Sequence, residues 1–283
     1  MKQALTLLLF VLVLSSCQKE TDGGTDNLPA KEETFLNLAY GNDAAQVMDL
    51  YLPAGRTDTT KLIMMIHGGA WFMGDKSDFT QYVSVLKQRL PGYAIANINY
   101  RLASIATNHF PTQENDMKAA VDFLVQKSGQ YKISQKIVLL GASAGAHLAM
   151  LQAYKNQNPK IRAVVNFFGA ADMTMLYNDA GPNDQLGIQI LVGGTPTTNA
   201  AAYLASSPLN FVTAQSPPTI VLHGTADDVV NINQSEALRD KLQSLGVKHE
   251  FHPFANQIHD TWPAPVMNEA FDKIEAFVKA NVQ

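Results

Sequence analysis

The sequence predicts an α/β fold, a mostly parallel central sheet of about eight strands with helices on both faces. Three observations predict it. From residue 35 onward, short apolar runs alternate with amphipathic stretches of helical length. The runs are apolar almost throughout, as strands covered on both faces are. Glycine-bearing turns follow several of them directly.

The first element, residues 34–52, has a Gly41-Asn42-Asp43 turn signal and alternation over Met48-Asp49-Leu50-Tyr51-Leu52, the pattern of an antiparallel pair at a sheet edge; Pro53 ends it. Strands follow at 61–66, 93–100, 136–140, 163–168, 219–222 and 247–254. Between and after them, residues 80–90, 112–127, 144–156, 234–245 and 266–282 carry helical spacing, so the strands have covering helices. Residues 172–199 lack a period and contain Gly181-Pro182, Gly193-Gly194 and Pro196. They read as an irregular segment, and so long a loop in a compact domain is usually functional, here a lid or pocket wall. Residues 35–283 contain no repeat and no composition break, and 34–283 are expected to form one domain.

The start of the chain reads as an address. Lys2 precedes an apolar run over residues 4–14, too short for a bilayer-spanning helix of about 20 residues, so 1–16 reads as a signal peptide. Leu14-Ser15-Ser16-Cys17 resembles a bacterial lipobox, which implies a lipid on Cys17 and a place in the bacterial cell envelope, at the outer membrane on its periplasmic side or at the cell surface. The polar stretch 17–33 then serves as a flexible tether. Membrane contact is expected through that anchor only.

Composition excludes other classes. Lys and Arg number 21 against 25 Asp and Glu, a net charge of −4 without a basic cluster, so nucleic acid is not an expected partner. Cys17 is the single cysteine, which rules out an intramolecular disulfide or multi-cysteine metal site. The histidines show no i, i+4 pair, so a zinc site is not expected, and the serine chemistry described next calls for no metal or cofactor.

The chemistry sits at strand ends. Gly141-Ala142-Ser143-Ala144-Gly145 joins the strand 136–140 to the helix 144–156, and a serine on so tight a turn needs small neighbours. A serine hydroxyl is a weak nucleophile and needs an imidazole base oriented by a carboxylate. Asp227, in His223-Gly224-Thr225-Ala226-Asp227, and His259, in Asn256-Gln257-Ile258-His259-Asp260, follow later strands in that order. Upstream, His67-Gly68-Gly69-Ala70-Trp71 ends the strand 61–66, where glycines let backbone N–H groups turn toward an oxyanion; the N–H of Ala144 would complete that set.

These motifs, together with Val47-Met48-Asp49-Leu50-Tyr51-Leu52-Pro53 and Asn99-Tyr100-Arg101-Leu102, resemble the α/β-hydrolase carboxylesterases related to hormone-sensitive lipase, and among them the bacterial HGG-type esterases that include acetylxylan and feruloyl esterases. The resemblance covers residues 36–283. It implies Ser143 as nucleophile, His259 as general base, Asp227 as the orienting carboxylate, and oxyanion donors at Gly68, Gly69 and Ala144. It also implies a small-molecule or carbohydrate-linked ester as substrate. Ala70 stands where the family usually has a third glycine, and Asn256-Gln257 where glycines often precede the histidine. A serine peptidase similar to prolyl oligopeptidase relatives, and a catalytically silent binding module of the same fold, stay open at this point. The sequence does not fix an oligomeric state.

Asp228 is a second candidate for the acid. His67 and His223 are expected to bond to nearby backbone, His147 to be packed, and His109, His249 and His252 to be surface or strand residues. Asp116 is expected as a helix cap or surface carboxylate. Trp71, Phe72, Met173, Leu176, Tyr177, Ile258 and Trp262 are candidates for lining the pocket.

Overall fold

Strands β1 (Glu33–Ala39), β2 (Val47–Leu52), β3 (Leu62–Ile66), β4 (Ala94–Ile98), β5 (Ile137–Ala142), β6 (Ile161–Phe167), β7 (Thr219–Gly224) and β8 (His249–Phe254) form one sheet in the order β1-β2-β4-β3-β5-β6-β7-β8. The computed structural model describes residues 29–283; the signal peptide 1–16, the Cys17 anchor and the tether up to residue 28 lie outside the described residues. β2 runs antiparallel to both β1 and β4, and every other pairing is parallel. The expected edge pair is therefore present, with β1 at the rim.

Parallel neighbours need crossover connections, and helices supply them. These are α1 (Thr80–Arg89), α2 (Thr112–Gln126), α3 (Ser128–Tyr131), α4 (Ala144–Tyr154), α5 (Met173–Asp179), α6 (Pro182–Val192), α7 (Ala200–Ser206), α8 (Asn233–Ser244) and α9 (Ala264–Asn281). Alternation along β3 shows how both faces are filled. Ile63 and Met65 pack with Val83 and Leu86 of α1 and Phe271 and Ile274 of α9. Leu62, Met64 and Ile66 pack on the other side with Met117 and Val121 of α2, Leu148 of α4 and Leu238 of α8. Helix α4 is buried on every side, which its Ala-Gly-Ala-His-Leu-Ala-Met-Leu sequence, apolar around the helix, requires.

Residues 172–199 differ from the expectation: they are helical, forming α5 and α6, with α7 directly after. Gly181, Pro182 and Gly193, which read as loop punctuation, bound a helix, and Asp172 caps another. The Asp172 side chain accepts from the N–H groups of Thr174 and Met175 at the start of α5. Pro182 occupies the first turn of α6, and Gly193, with φ of 82°, ends it in the left-handed conformation.

Asp116 is also a correction. It is neither a cap nor a surface carboxylate but fully buried on α2, where it accepts from the Arg101 guanidinium, the Arg101 N–H at 2.8 Å and Gln46 Nε2 at 2.7 Å.

The parallel strands β3, β5, β6, β7 and β8 end along one edge of the sheet: Ile66 pairs with Gly141, Ala142 with Phe167, Leu222 with Phe167, and Gly224 with Phe254. Open parallel sheets bind ligands at this edge.

Candidate active site

Ser143 follows β5 and caps α4 with φ of 52° and ψ of −122°, a strained conformation for any residue with a Cβ. Two close approaches impose it. A Cβ on Gly145 would lie 2.1 Å from the carbonyl oxygen of Ile66, and one on Gly141 would lie 2.4 Å from the Gly145 carbonyl carbon. The turn is thus pressed against the end of β3, and the Ser143 N–H is fixed to the Phe167 carbonyl at 2.9 Å.

Beside Ser143 Oγ, at 2.9 Å, is His259 Nε2, and His259 Nδ1 lies 2.7 Å from Asp227 Oδ2. A carboxylate can only accept, so Nδ1 carries the proton and Nε2 presents its lone pair to the serine O–H. The structure therefore brings the three residues singled out in the sequence into one hydrogen-bonded chain. Asp227 Oδ1 accepts from the N–H groups of Val229 at 3.0 Å and Val230 at 2.8 Å. Burial pushes the Asp227 carboxyl up, but the donors His223 and His259 outweigh it and hold the group well below the usual carboxylate range. Asp228 is exposed, and among the described residues it is Asp227 that bonds His259.

Loop 67–74 lies across Ser143. Gly68 is so close that a Cβ there would sit 3.3 Å from Ser143 Cβ. Gly69 (φ 108°), Ala70 (φ 51°) and Trp71 (φ 68°) are consecutive left-handed residues. Two of them carry a Cβ, so this strain must be offset by the contacts that hold the loop. Those contacts are on hand. The Tyr100 hydroxyl reaches the carbonyls of His67 and Gly68 at 3.2 and 3.3 Å, and the Ala103 N–H donates to the Trp71 carbonyl at 2.8 Å. Trp71 Nε1 donates to His147 Nδ1 at 3.1 Å, and His147 Nε2 donates to the Ser206 carbonyl at 2.7 Å. Burial pushes His147 down to about 4, so it stays neutral and able to accept from the indole. Among the described residues, the N–H groups of Gly68, Gly69 and Ala144 donate to no backbone carbonyl, and these residues share the walls of two cavities with Ser143.

The remaining histidines follow their surroundings. His67 stacks on Tyr100 at 4.4 Å, and its Nδ1 lies 2.7 Å from the Gly68 carbonyl. His223 bonds the Val230 carbonyl through Nε2 at 2.7 Å, but also reaches Ser235 Oγ and Asp227.

Two cavities meet at Ser143. The larger, about 600 Å³, contains His259, Phe79, Tyr82, Phe168, Trp262 and Phe271, with Asp78 and Asp260 among its polar residues. The smaller, about 280 Å³, lies beside Ala144 under α5 and α6 and is bounded by Trp71, Phe72, Leu176, Ala180, Gly187 and Ile188. Trp71, Phe72, Leu176 and Trp262 thus line the cavities as expected. Three candidates do not. Met173 is fully buried in the core, Tyr177 packs edge-on to Tyr203 at 5.9 Å, and Ile258 points outward with 48% of its surface exposed. Neither cavity includes any of the three. Sequence reasoning missed Tyr82 and Phe271, which lie on α1 and α9 as ordinary core-facing aromatics; Phe168, directly after β6 at the reactive edge, could have been found from its position.

This sheet, with a strained serine between β5 and α4 and a histidine and an acid after later strands, defines the α/β-hydrolase fold. A family model described as BD-FAE matches residues 48–242, more than half of the chain, and the protein belongs to that family. It is similar to the "Probable carboxylic ester hydrolase LipM" of Mycobacterium tuberculosis, 29% identical over 202 residues, covering 67% of this chain and 46% of the relative. Among solved structures it is similar to a "Bifunctional GH43-CE" of Bacteroides eggerthii, with a TM-score of 0.76, 29% identity, and coverage of 87% of this chain and 38% of that one. It is also similar to a "Truncated form of carbohydrate esterase from gut microbiota", with a TM-score of 0.72, 26% identity, and coverage of 89% and 98%. The chain spans about half the length of the curated relatives it matches.

Proposed function

We propose that this chain hydrolyses carboxylic esters through an acyl-enzyme on Ser143. The observation that carries the reading is the Ser143–His259–Asp227 chain, at 2.9 and 2.7 Å, opening onto two cavities. In this reading His259 Nε2 takes the serine proton as Oγ attacks the ester carbonyl, and the N–H groups of Gly68, Gly69 and Ala144 receive the oxyanion. The protonated imidazole returns its proton to the departing alcohol. Water, deprotonated by the same nitrogen, then releases the acid and restores Ser143.

The favoured substrates are short acyl or carbohydrate-linked esters, acetyl or feruloyl. A similar structure is named a carbohydrate esterase, and a cavity with aromatic walls and a few polar groups suits a sugar ring. The test is a substrate panel: acetylated xylan, a feruloylated sugar, a nitrophenyl ester and a peptide. Ester turnover with no peptide cleavage is expected; cleavage of the peptide alone overturns the proposal. The enzyme is further proposed to work at the cell envelope on external material, held by a lipid on Cys17. Labelled palmitate should enter the protein and be lost in Cys17→Ala; label retained in that variant contradicts the anchor.

A further inference from the structure

His223 lies beside the proposed acid, near the same carboxylate oxygen that His259 meets, and the reaction scheme above gives it no part. It is fully buried at the end of β7, and each ring nitrogen has a partner. Nδ1 is 2.6 Å from the Ser235 hydroxyl on α8, while Nε2 is 2.7 Å from the Val230 carbonyl and 3.1 Å from Asp227 Oδ2. Both neighbours of Nε2 are pure acceptors, so Nε2 carries the proton and Nδ1 accepts from the Ser235 O–H. Asp227 Oδ2 therefore accepts from His259 at 2.7 Å and lies 3.1 Å from the His223 Nε2–H, whose nearer acceptor is the Val230 carbonyl, while Oδ1 is held by two backbone N–H groups.

We propose that His223 is a positioning residue for hydrolysis: with its tautomer set by Ser235, it donates to Asp227 and fixes the carboxylate oxygen on which His259 hangs. The inference rests on the esterase reading of this site. A residue that only packs the core has no need of a ring nitrogen 3.1 Å from that oxygen, nor of a hydroxyl that selects which nitrogen is protonated. The titratable groups facing Asp227 are His223 from β7 and His259 from the loop after β8; α8 presents the Ser235 hydroxyl, and the end of β6 presents the Phe168 ring, 6.5 Å from His223. Asp228 and Asp260, the chain neighbours of the two partners, are exposed. The His223 hydrogen bond is also the largest influence holding the Asp227 carboxyl down.

Without that donor, negative charge on Oδ2 is drawn less to His223 and acts more on His259, favouring its protonated form. His223→Leu is therefore expected to lower kcat on a nitrophenyl ester by about 10-fold to 100-fold and leave KM unchanged. The acid limb of the kcat/KM profile should move to higher pH. His223→Gln, which keeps a donor, is expected to recover most of the rate. In an Asp227→Asn background, His223→Leu should cost nothing further, because the residue acts through the carboxylate. Should His223→Leu not fold, Ser235→Ala supplies the same comparison from the other end, with a smaller effect that likewise vanishes with Asp227→Asn. Equal losses in both backgrounds, or an unmoved acid limb, would reduce His223 to core packing. If Ser143→Ala is as active as the parent, it is the esterase reading that fails; if activity depends on Ser143 and the cycle is additive, only this inference fails.

Discussion

Ser143→Ala is expected to lower kcat on a short-chain nitrophenyl ester by about 10⁴-fold to 10⁶-fold, with KM little changed. The loss is this large because the hydroxyl is the only atom in the proposed scheme that forms the covalent bond to the acyl group. What survives is the help that N–H donors at Gly68, Gly69 and Ala144 can give to direct attack by water. The fold should be spared. Alanine retains the Cβ that already sits at φ of 52°, and the Ser143 N–H still bonds the Phe167 carbonyl. Steady-state kinetics paired with a thermal melt checks both halves of the expectation. Adding His259→Ala to the serine variant is expected to cost little more, since the imidazole has no proton to take once the hydroxyl is gone. A Ser143→Ala protein with parental kcat would remove the serine from the mechanism, whatever its distance from His259.

The reactive edge of this fold was legible because strand, turn and chemistry coincide in sequence. Ser143, Asp227 and His259 each follow an apolar run, and the sheet order then brings those run ends together. Helices α1, α2, α8 and α9 were readable from their period, and α4, apolar on every side, from its length and its place directly after the Ser143 turn. Residues 173–206 were not: α5 and α7 are seven residues each, too short to show helical spacing, and α6, though 11 residues long, is bounded by Gly181-Pro182 and Gly193, which look like loop residues. Side-chain direction was equally hidden. Met173 and Leu176 are three residues apart on one helix, yet only Leu176 reaches the smaller cavity. The environment of Asp116 was out of reach because its partners come from 15 and 70 residues away, and no local pattern records them. His223 was readable as a strand-end histidine, but its bond to Ser235 depends on how α8 returns over β7.

Asp116→Ala is expected to destabilise the protein by about 3 kcal/mol, since removing one member of a buried ion pair leaves the other uncompensated. Arg101 loses its carboxylate while three-quarters of its side-chain surface is covered, at 27% exposure. Gln46 Nε2 and the Arg101 N–H lose their acceptor as well, and the void on α2 next to Met117 and Ala120 adds to the cost. The residual water access of Arg101 keeps the figure at the low end for such pairs. In a domain of this size the midpoint of thermal unfolding should fall by roughly 6–12 °C, and Asp116→Asn, which keeps one acceptor oxygen, should fall less. The consequence reaches the site. Asp116 anchors the start of the segment 100–103, whose Tyr100 hydroxyl and Ala103 N–H hold the carbonyls of His67, Gly68 and Trp71. That segment helps to hold the left-handed angles of Ala70 and Trp71, so loop 67–74 should loosen and kcat should drop even well below the unfolding temperature. A calorimetric midpoint within about 2 °C of the parent, or unchanged kcat at a temperature where the variant is fully folded, would show that the loop is held by Trp71 and His147 instead.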